Sequence, residues 1–280
     1  MHLILILTAL TIALLLRLIP LKIEHNFAKR WQYCLFLMSF PPLILLMTAL
    51  AVICMGYNGK MLGFPASRFG YIISLLFIIF SAICLIKLSY EAWLCLEKIR
   101  SYPLKLVEGK WARILDISFP YIGQIGFWQP ELVITNELIK ILSPQHLQAV
   151  IAHEEAHYNN HDTFWFFWLG FLKNITYGLP NTEKLWEELL LLRELRADRK
   201  ASEKVDFLLL AESLLLVTQT SVDSPSNFNE SFSCAFSDNR LRERVDALLN
   251  PTKTTDSLNV YSGSWLFLTL LPWFTIPFHY

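Results

Sequence analysis

Ser143 to Asp162 reads SPQHLQAVIAHEEAHYNNHD, and its periodicity decides what the surrounding chain must build. Ser143 is a good helix N-cap, and Pro144 suits the first helical position. Leu147, Val150, Ile151 and Ala156 recur at three- to four-residue spacing among polar residues, the pattern of a helix with one buried face. Inside that helix, His153-Glu154-Glu155-Ala156-His157 is an H-E-x-x-H motif. Residues four apart share a helical face, so both imidazoles converge on one ion. Glu154 stands beside that pair, where a carboxylate can take a proton from water held by the ion. Zinc is the expected ion, because it lowers the pKa of such a water from roughly 15.7 to about 7. The competing reading is a helix carrying two solvated histidines; the cap and the adjoining apolar face argue against it.

A catalytic zinc needs a third protein ligand and an open fourth position. Downstream, helices are expected at about 163–177, 182–203, 204–219 and 238–249. The second of these carries Arg193-Glu194-Leu195-Arg196-Ala197-Asp198, and Glu194 is the best candidate for the third ligand. Asp198 lies one turn further on the same face. Two carboxylates so placed repel unless a cation or a histidine N–H stands between them. From spacing alone the alternative stays open, since Arg193, Arg196 and Arg199 would also neutralise a solvated acidic face. His161 lies too far along the motif helix to share one tetrahedral ion, and Glu155 is expected in solvent.

Upstream of the motif the pattern changes. Arg113–Ile117 and Leu132–Thr135 read as short strands separated by Gly123, Gly126 and Pro130, giving a small sheet of two to four strands.

Composition places this domain on an anchor. The 280 residues are 54% hydrophobic, with 24 basic and 24 acidic side chains and no net charge. That balance excludes the basic footprint of a nucleic-acid binder. Charged residues make up 17% of the chain, against about 25% in soluble domains. Residues 1–16 and 69–86 contain none at all. Apolar segments at about 2–19, 31–56 and 69–90 therefore read as transmembrane helices, the second interrupted by Pro41-Pro42. Residues 87–100 are expected to continue the third out of the bilayer as a stalk. A fourth apolar run, Trp265–Tyr280, holds Pro272 and Pro277 and either spans or lies in the interface. Phe164–Leu169 is dense in aromatic residues and fits either the interface or packing on the stalk.

Lys and Arg cluster after the first and third segments and are sparse in the second loop, where only Lys60 and Arg68 occur. The positive-inside rule then puts the N-terminus outside and residues 87–263 in the cytoplasm. The five cysteines, Cys34, Cys54, Cys84, Cys95 and Cys234, show no C-x-x-C spacing and read as buried small hydrophobes rather than a disulfide or thiolate site.

The motif stretch resembles the H-E-x-x-H-x-x-x-x-D helix of integral-membrane gluzincins, both the HtpX and CAAX-protease-like family and the BlaR/MecR-type family. Arg193–Asp198 is similar to the R-E-x-x-A-D helix of the BlaR/MecR type, and Arg244–Leu249 to its closing R-[IV]-x-x-L-L segment. Pro130–Thr135 resembles the edge strand that precedes its motif helix. The resemblance covers about residues 111–250. It implies that His153, His157 and Glu194 bind zinc, that Glu154 is the catalytic base and that Asp198 orients a zinc-bound histidine. Asp162 matches an acidic position taken as structural. Arg240, Arg242, Arg244, Tyr158 and Tyr177 are all open as stabilisers of the oxyanion.

The expected protein is thus mainly α, with three to four transmembrane helices and a zincin-like α+β cytoplasmic metallopeptidase domain holding a small sheet. The expected divisions are a membrane region at 1–90, a peptidase domain at 91–250, a linker at 251–263 and a last membrane segment at 264–280. The expected activity is zinc-dependent hydrolysis of peptide bonds in membrane-associated or cytosolic proteins, at the inner or plasma membrane. The expected partners are a protein or peptide substrate and the lipid bilayer, with no nucleic acid and a regulatory partner left open. Two rival expectations are a signalling protease that cleaves a transcriptional repressor and a non-catalytic scaffold with a structural metal.

Overall fold

The computed structural model describes residues 1–20, 26–61, 64–221, 238–249 and 263–279. The expectations for Cys234, for most of the 220–236 loop and for most of the 250–263 linker fall outside these residues. The chain divides into two compact units. One comprises Met1–Ser89, Trp168–Leu189 and Asp256–Tyr280; the other comprises Tyr90–Phe167 and Leu190–Thr255.

The first unit contains helices α1 (His2–Leu18) and α2 (Phe27–Met55), a short hairpin of β1 (Lys60–Met61) and β2 (Phe64–Pro65), and the start of α3 (Arg68–Arg100). By length and composition, α2 and α3 are able to cross a membrane. The sequence predicts three or four such helices, and two among the described residues meet the test. α1 has 17 residues and rises only about 25 Å, short of a hydrocarbon core of roughly 30 Å. The C-terminal run is divided into two short pieces, a helix Trp265–Leu268 and a 3-10 helix Leu271–Phe278, with Pro272 and Pro277 in the second piece. Pro41 and Pro42, by contrast, are accommodated inside α2. Arg17 is buried and donates to the Thr182 hydroxyl and the Met38 carbonyl, while Arg30 pairs with Glu188.

The second unit holds a four-stranded sheet of β3 (Leu104–Val107), β4 (Lys110–Leu115), β5 (Ile122–Ile125) and β6 (Glu131–Thr135), in the order β3-β4-β6-β5. β4 and β6 are parallel and the other pairs antiparallel. The strands expected around Arg113–Ile117 and Leu132–Thr135 are thus neighbours. One expectation is overturned: Leu132–Thr135 is not an edge strand. β6 is bonded on both sides, and Leu132, Val133, Ile134 and Thr135 are all buried. An unbroken apolar run marks a strand covered on both faces, and that signal outweighs the likeness to an edge. Among the described residues, the free edges are β3 and β5.

The two faces of the sheet are covered differently. Ala112, Ile114, Leu132 and Ile134 pack on Leu147, Val150 and Ile151 of α5 (Pro144–Asn159). On the other face Leu115 and Val133 pack with Ile99. The short α4 (Asn136–Ile141) joins β6 to α5, capped by Thr135. α5 is also covered on its far side, where Ala149 and Ala152 meet Leu210, Ala211 and Leu214 of α8 (Phe207–Ser221). Small residues on that side let two helices approach closely, and together the sheet and α8 hold α5 rigid. The remaining elements are α6 (Asp162–Ile175), α7 (Thr182–Ala201) and α9 (Asp238–Leu249), close to their expected ranges.

Candidate metal centre

The Ser143 hydroxyl accepts from the His146 amide and starts α5 as its sequence requires. The helix ends at Asn160, His161 takes a positive φ of 53°, and α6 begins at Asp162. This break turns Asp162 back toward the last turn of α5. Its Oδ2 lies 2.7 Å from His157 Nδ1. His161 stays exposed, outside the cluster.

α7 brings up the second half of the site. Glu194 and Asp198 share one face, four residues apart, and both reach α5. Glu194 Oε2 lies 3.3 Å from His153 Nε2 and its Oε1 lies 3.6 Å from His157 Nε2. The two Nε2 atoms are 3.0 Å apart, with the rings edge to face. Asp198 Oδ1 lies 2.8 Å from His153 Nδ1. His153, His157 and Glu194 thus form a buried group whose ligand atoms all fall within 4.8 Å of one another.

This donor set fits zinc. With bonds of about 2.0–2.2 Å and tetrahedral angles, adjacent ligand atoms sit roughly 3.3–3.5 Å apart. The observed 3.0–3.6 Å brackets that span. The outer carboxylates strengthen the case. Asp198 and Asp162 stand against the two Nδ1 atoms, where they would keep a proton in place and leave each Nε2 to face a bound cation.

Protonation follows the same field. Burial alone would lower the His153 pKa, but the charges of Asp198 and Glu194 outweigh it and hold it at about 10. Burial would raise that of Glu194, yet His157 and then Arg193 keep it well below the usual carboxylate range. In the same way Arg244, followed by His153, holds the buried Asp198 low.

Three arginines balance the acids; the sequence offered Arg193 and Arg196 as neutralising groups, and Arg244 only as one of several groups that could face an oxyanion. Arg193 donates through Nε and Nη2 to Glu194 Oε1 at 3.0 and 2.8 Å, with its guanidinium over the Phe166 ring. Arg196 pairs with Asp162. Arg244 on α9 binds Asp198 in a fork, Nε to Oδ2 at 2.7 Å and Nη2 to Oδ1 at 2.8 Å, and its Nη1 lies 3.5 Å from Glu194 Oε2. Arg244 was one of five residues open as oxyanion stabilisers. Its donors are committed to Asp198 and Glu194 instead. Of the others, Tyr158, Tyr177 and Arg242 are exposed, and the Arg240 side chain lies outside the described residues.

Glu154 is different. It is buried, yet among the described residues it makes no hydrogen bond or ion pair, so its carboxylate is uncommitted. Its neighbour Glu155, expected in solvent, is half-buried and pairs with Lys110 at 3.2 Å and Lys204 at 3.0 Å. Glu155 therefore ties α5 to β4 and to the turn that follows α7.

Residues 124–203 match the model of peptidase family M48. This M48-like stretch begins in β5 and contains α5, α6 and α7, and so holds His153, Glu154, His157, Glu194 and Asp198. It points to metallopeptidase chemistry at the buried cluster. It does not reach Arg244–Leu249, one of the segments behind the BlaR/MecR resemblance. Comparisons with curated proteins and with solved structures each return no match.

The contact between Asp162 and His157 can be tested directly. Asp162→Asn removes the charge behind His157 and is expected to weaken zinc binding by about 10–100-fold, measured by competition with a chelator of known affinity. An unchanged affinity would mean that the 2.7 Å contact does not tune the histidine.

Proposed function

We propose that this chain is a membrane-anchored zinc endopeptidase whose site faces the cytoplasm. The observation that carries the proposal is the cluster of His153, His157 and Glu194, with a carboxylate behind each histidine and an uncommitted Glu154 beside them. His153 and His157 would hold zinc through Nε2, and Glu194 would hold it through its carboxylate. When bound, zinc activates water as a nucleophile near neutral pH and polarises the scissile carbonyl.

Everything else falls to the protein. Glu154 takes a proton from the attacking water as the C–O bond forms, then passes it to the nitrogen as the C–N bond breaks. Asp162 and Asp198 keep both imidazoles in the tautomer that presents Nε2. The M48 match supports the peptidase reading, the two long apolar helices support anchoring, and the Lys and Arg distribution supports the cytoplasmic orientation.

Substrate binding follows from the sheet. The Thr135 amide donates to the Tyr121 carbonyl at 3.0 Å, which makes Tyr121 and Thr135 a hydrogen-bonded pair. Bonded and non-bonded pairs alternate in an antiparallel ladder. The backbone N–H and C=O of Ile122 and Gln124 therefore point away from β6, along the open edge. An extended substrate would pair there, in place of the β6 edge that the sequence suggested.

The test is metal dependence. Purified protein is expected to hold one zinc per chain, to cleave peptides from a mixed library, to lose both on chelation and to recover both with zinc. Cleavage that persists in metal-free protein would overturn the proposal.

A further inference from the structure

A cavity of about 540 Å³ opens beside the candidate metal centre, between the end of the sheet and the last two turns of α5. It is not the metal site, since none of His153, His157 and Glu194 lines it. On the helical wheel of α5, at 100° per residue, Glu154 stands between the two histidines and the residues that line the cavity, Ile151, Glu155 and Tyr158. From the sheet, Gln124, Leu132, Trp111 and Pro130 complete the walls.

We infer that this cavity is a specificity pocket of the proposed peptidase, taking a bulky uncharged side chain on the N-terminal side of the scissile bond. The inference rests on the peptidase reading. Gln124 belongs to both features, because its backbone faces the open β5 edge and its side chain lines the cavity. A residue paired opposite Gln124 places its side chain on the same face of the sheet, which is the face that opens on the cavity. Antiparallel pairing is the more stable ladder. In that orientation the N-terminal part of the substrate runs toward Ile125 and Pro130, the end of β5 where the cavity lies.

The lining sets the chemistry. Aromatic and aliphatic walls come from Trp111, Tyr158, Leu132 and Ile151. Each charged group of the lining is already in an ion pair, every carboxylate shared by two cations. Glu155 pairs with Lys110 and Lys204, and Glu131 accepts from Arg113 at 2.7 Å and from Arg100 at 2.9 Å. A charged side chain would have to break into one of these pairs to be matched, whereas an apolar one gains by leaving water. The volume is ample for an aromatic ring.

The experiment has two readouts on the full-length, zinc-loaded chain in detergent. A peptide library is cleaved by the wild type and profiled by mass spectrometry, and the same uncleaved library is passed over immobilised Glu154→Gln protein to record which peptides are retained. In both, Phe, Trp, Leu or Met is expected at least about tenfold over Asp, Lys or Ala at one position N-terminal to the cut, or in the retained sequences. Asn159→Trp, which fills the exposed mouth of the cavity, is expected to erase the preference. Glu155→Gln frees Lys110 and Lys204 and is expected to raise Asp and Glu at that position at least fivefold. Cleavage without the preference, or a preference that neither variant shifts, overturns the pocket and leaves the peptidase standing. Selective retention that Asn159→Trp abolishes, with no cleavage by the wild type, overturns the peptidase and keeps the pocket. Neither cleavage nor selective retention overturns both.

Discussion

Glu154→Gln is expected to keep the metal and to lose peptide cleavage by about 10²–10⁴-fold, the usual contribution of a positioned general base. The two functions separate because Glu154 is outside the donor cluster. His153, His157 and Glu194 lie within 4.8 Å of one another without it, and no described partner restrains its carboxylate. Glutamine keeps the shape and the burial but cannot take a proton from water. Metal content by elemental analysis and turnover on one cleaved peptide measure the two effects. Equal loss of zinc and activity would mean that Glu154 shapes the site rather than acting in it. Undiminished turnover would move the base elsewhere.

Arg244→Met is expected to destabilise the protein by about 3–5 kcal/mol, read as a lower melting temperature of the detergent-purified chain. Arg244 is 4% exposed and binds both oxygens of Asp198 while approaching Glu194. Its removal leaves two carboxylates in a dry environment with one fewer cation. The double variant Arg244→Met, Asp198→Leu removes both members of the principal pair and is expected to recover most of that stability, because no ion of the pair is then stranded. Zinc affinity is not expected to recover with it, since His153 would have lost the carboxylate on its Nδ1. A single variant within about 1 kcal/mol of wild type would show that the ion pair is dispensable for folding.

Much of this site was legible in the chain, and for a local reason. H-E-x-x-H needs only the periodicity of one helix to place two imidazoles together, and Ser143 and Pro144 announce where that helix starts. The four helices after the motif were readable from their spacing. Glu194 was a harder case. Its distance from His153 depends on how α7 meets α5, and spacing alone left a solvated acidic face as an equal alternative. Asp162 was visible as an acid after the motif, but its contact with His157 depends on the reversal at His161, whose positive φ no pattern announces. Arg244 was harder still, because it arrives from α9, 46 residues after Asp198.

What the sequence determined by itself was therefore the chemistry available on each helix and the presence of long apolar segments around it. Those depend on periods of three to four residues and on runs of composition, both local properties of the chain. Only the tertiary structure decided that β6 is interior and β5 open, that Asp162 and Asp198 each stand behind a histidine, and that Arg244 closes the charge balance. Each of those results depends on contacts between elements far apart in sequence. They are set by which faces exclude water together, and by the rule that a charge buried there must meet its partner.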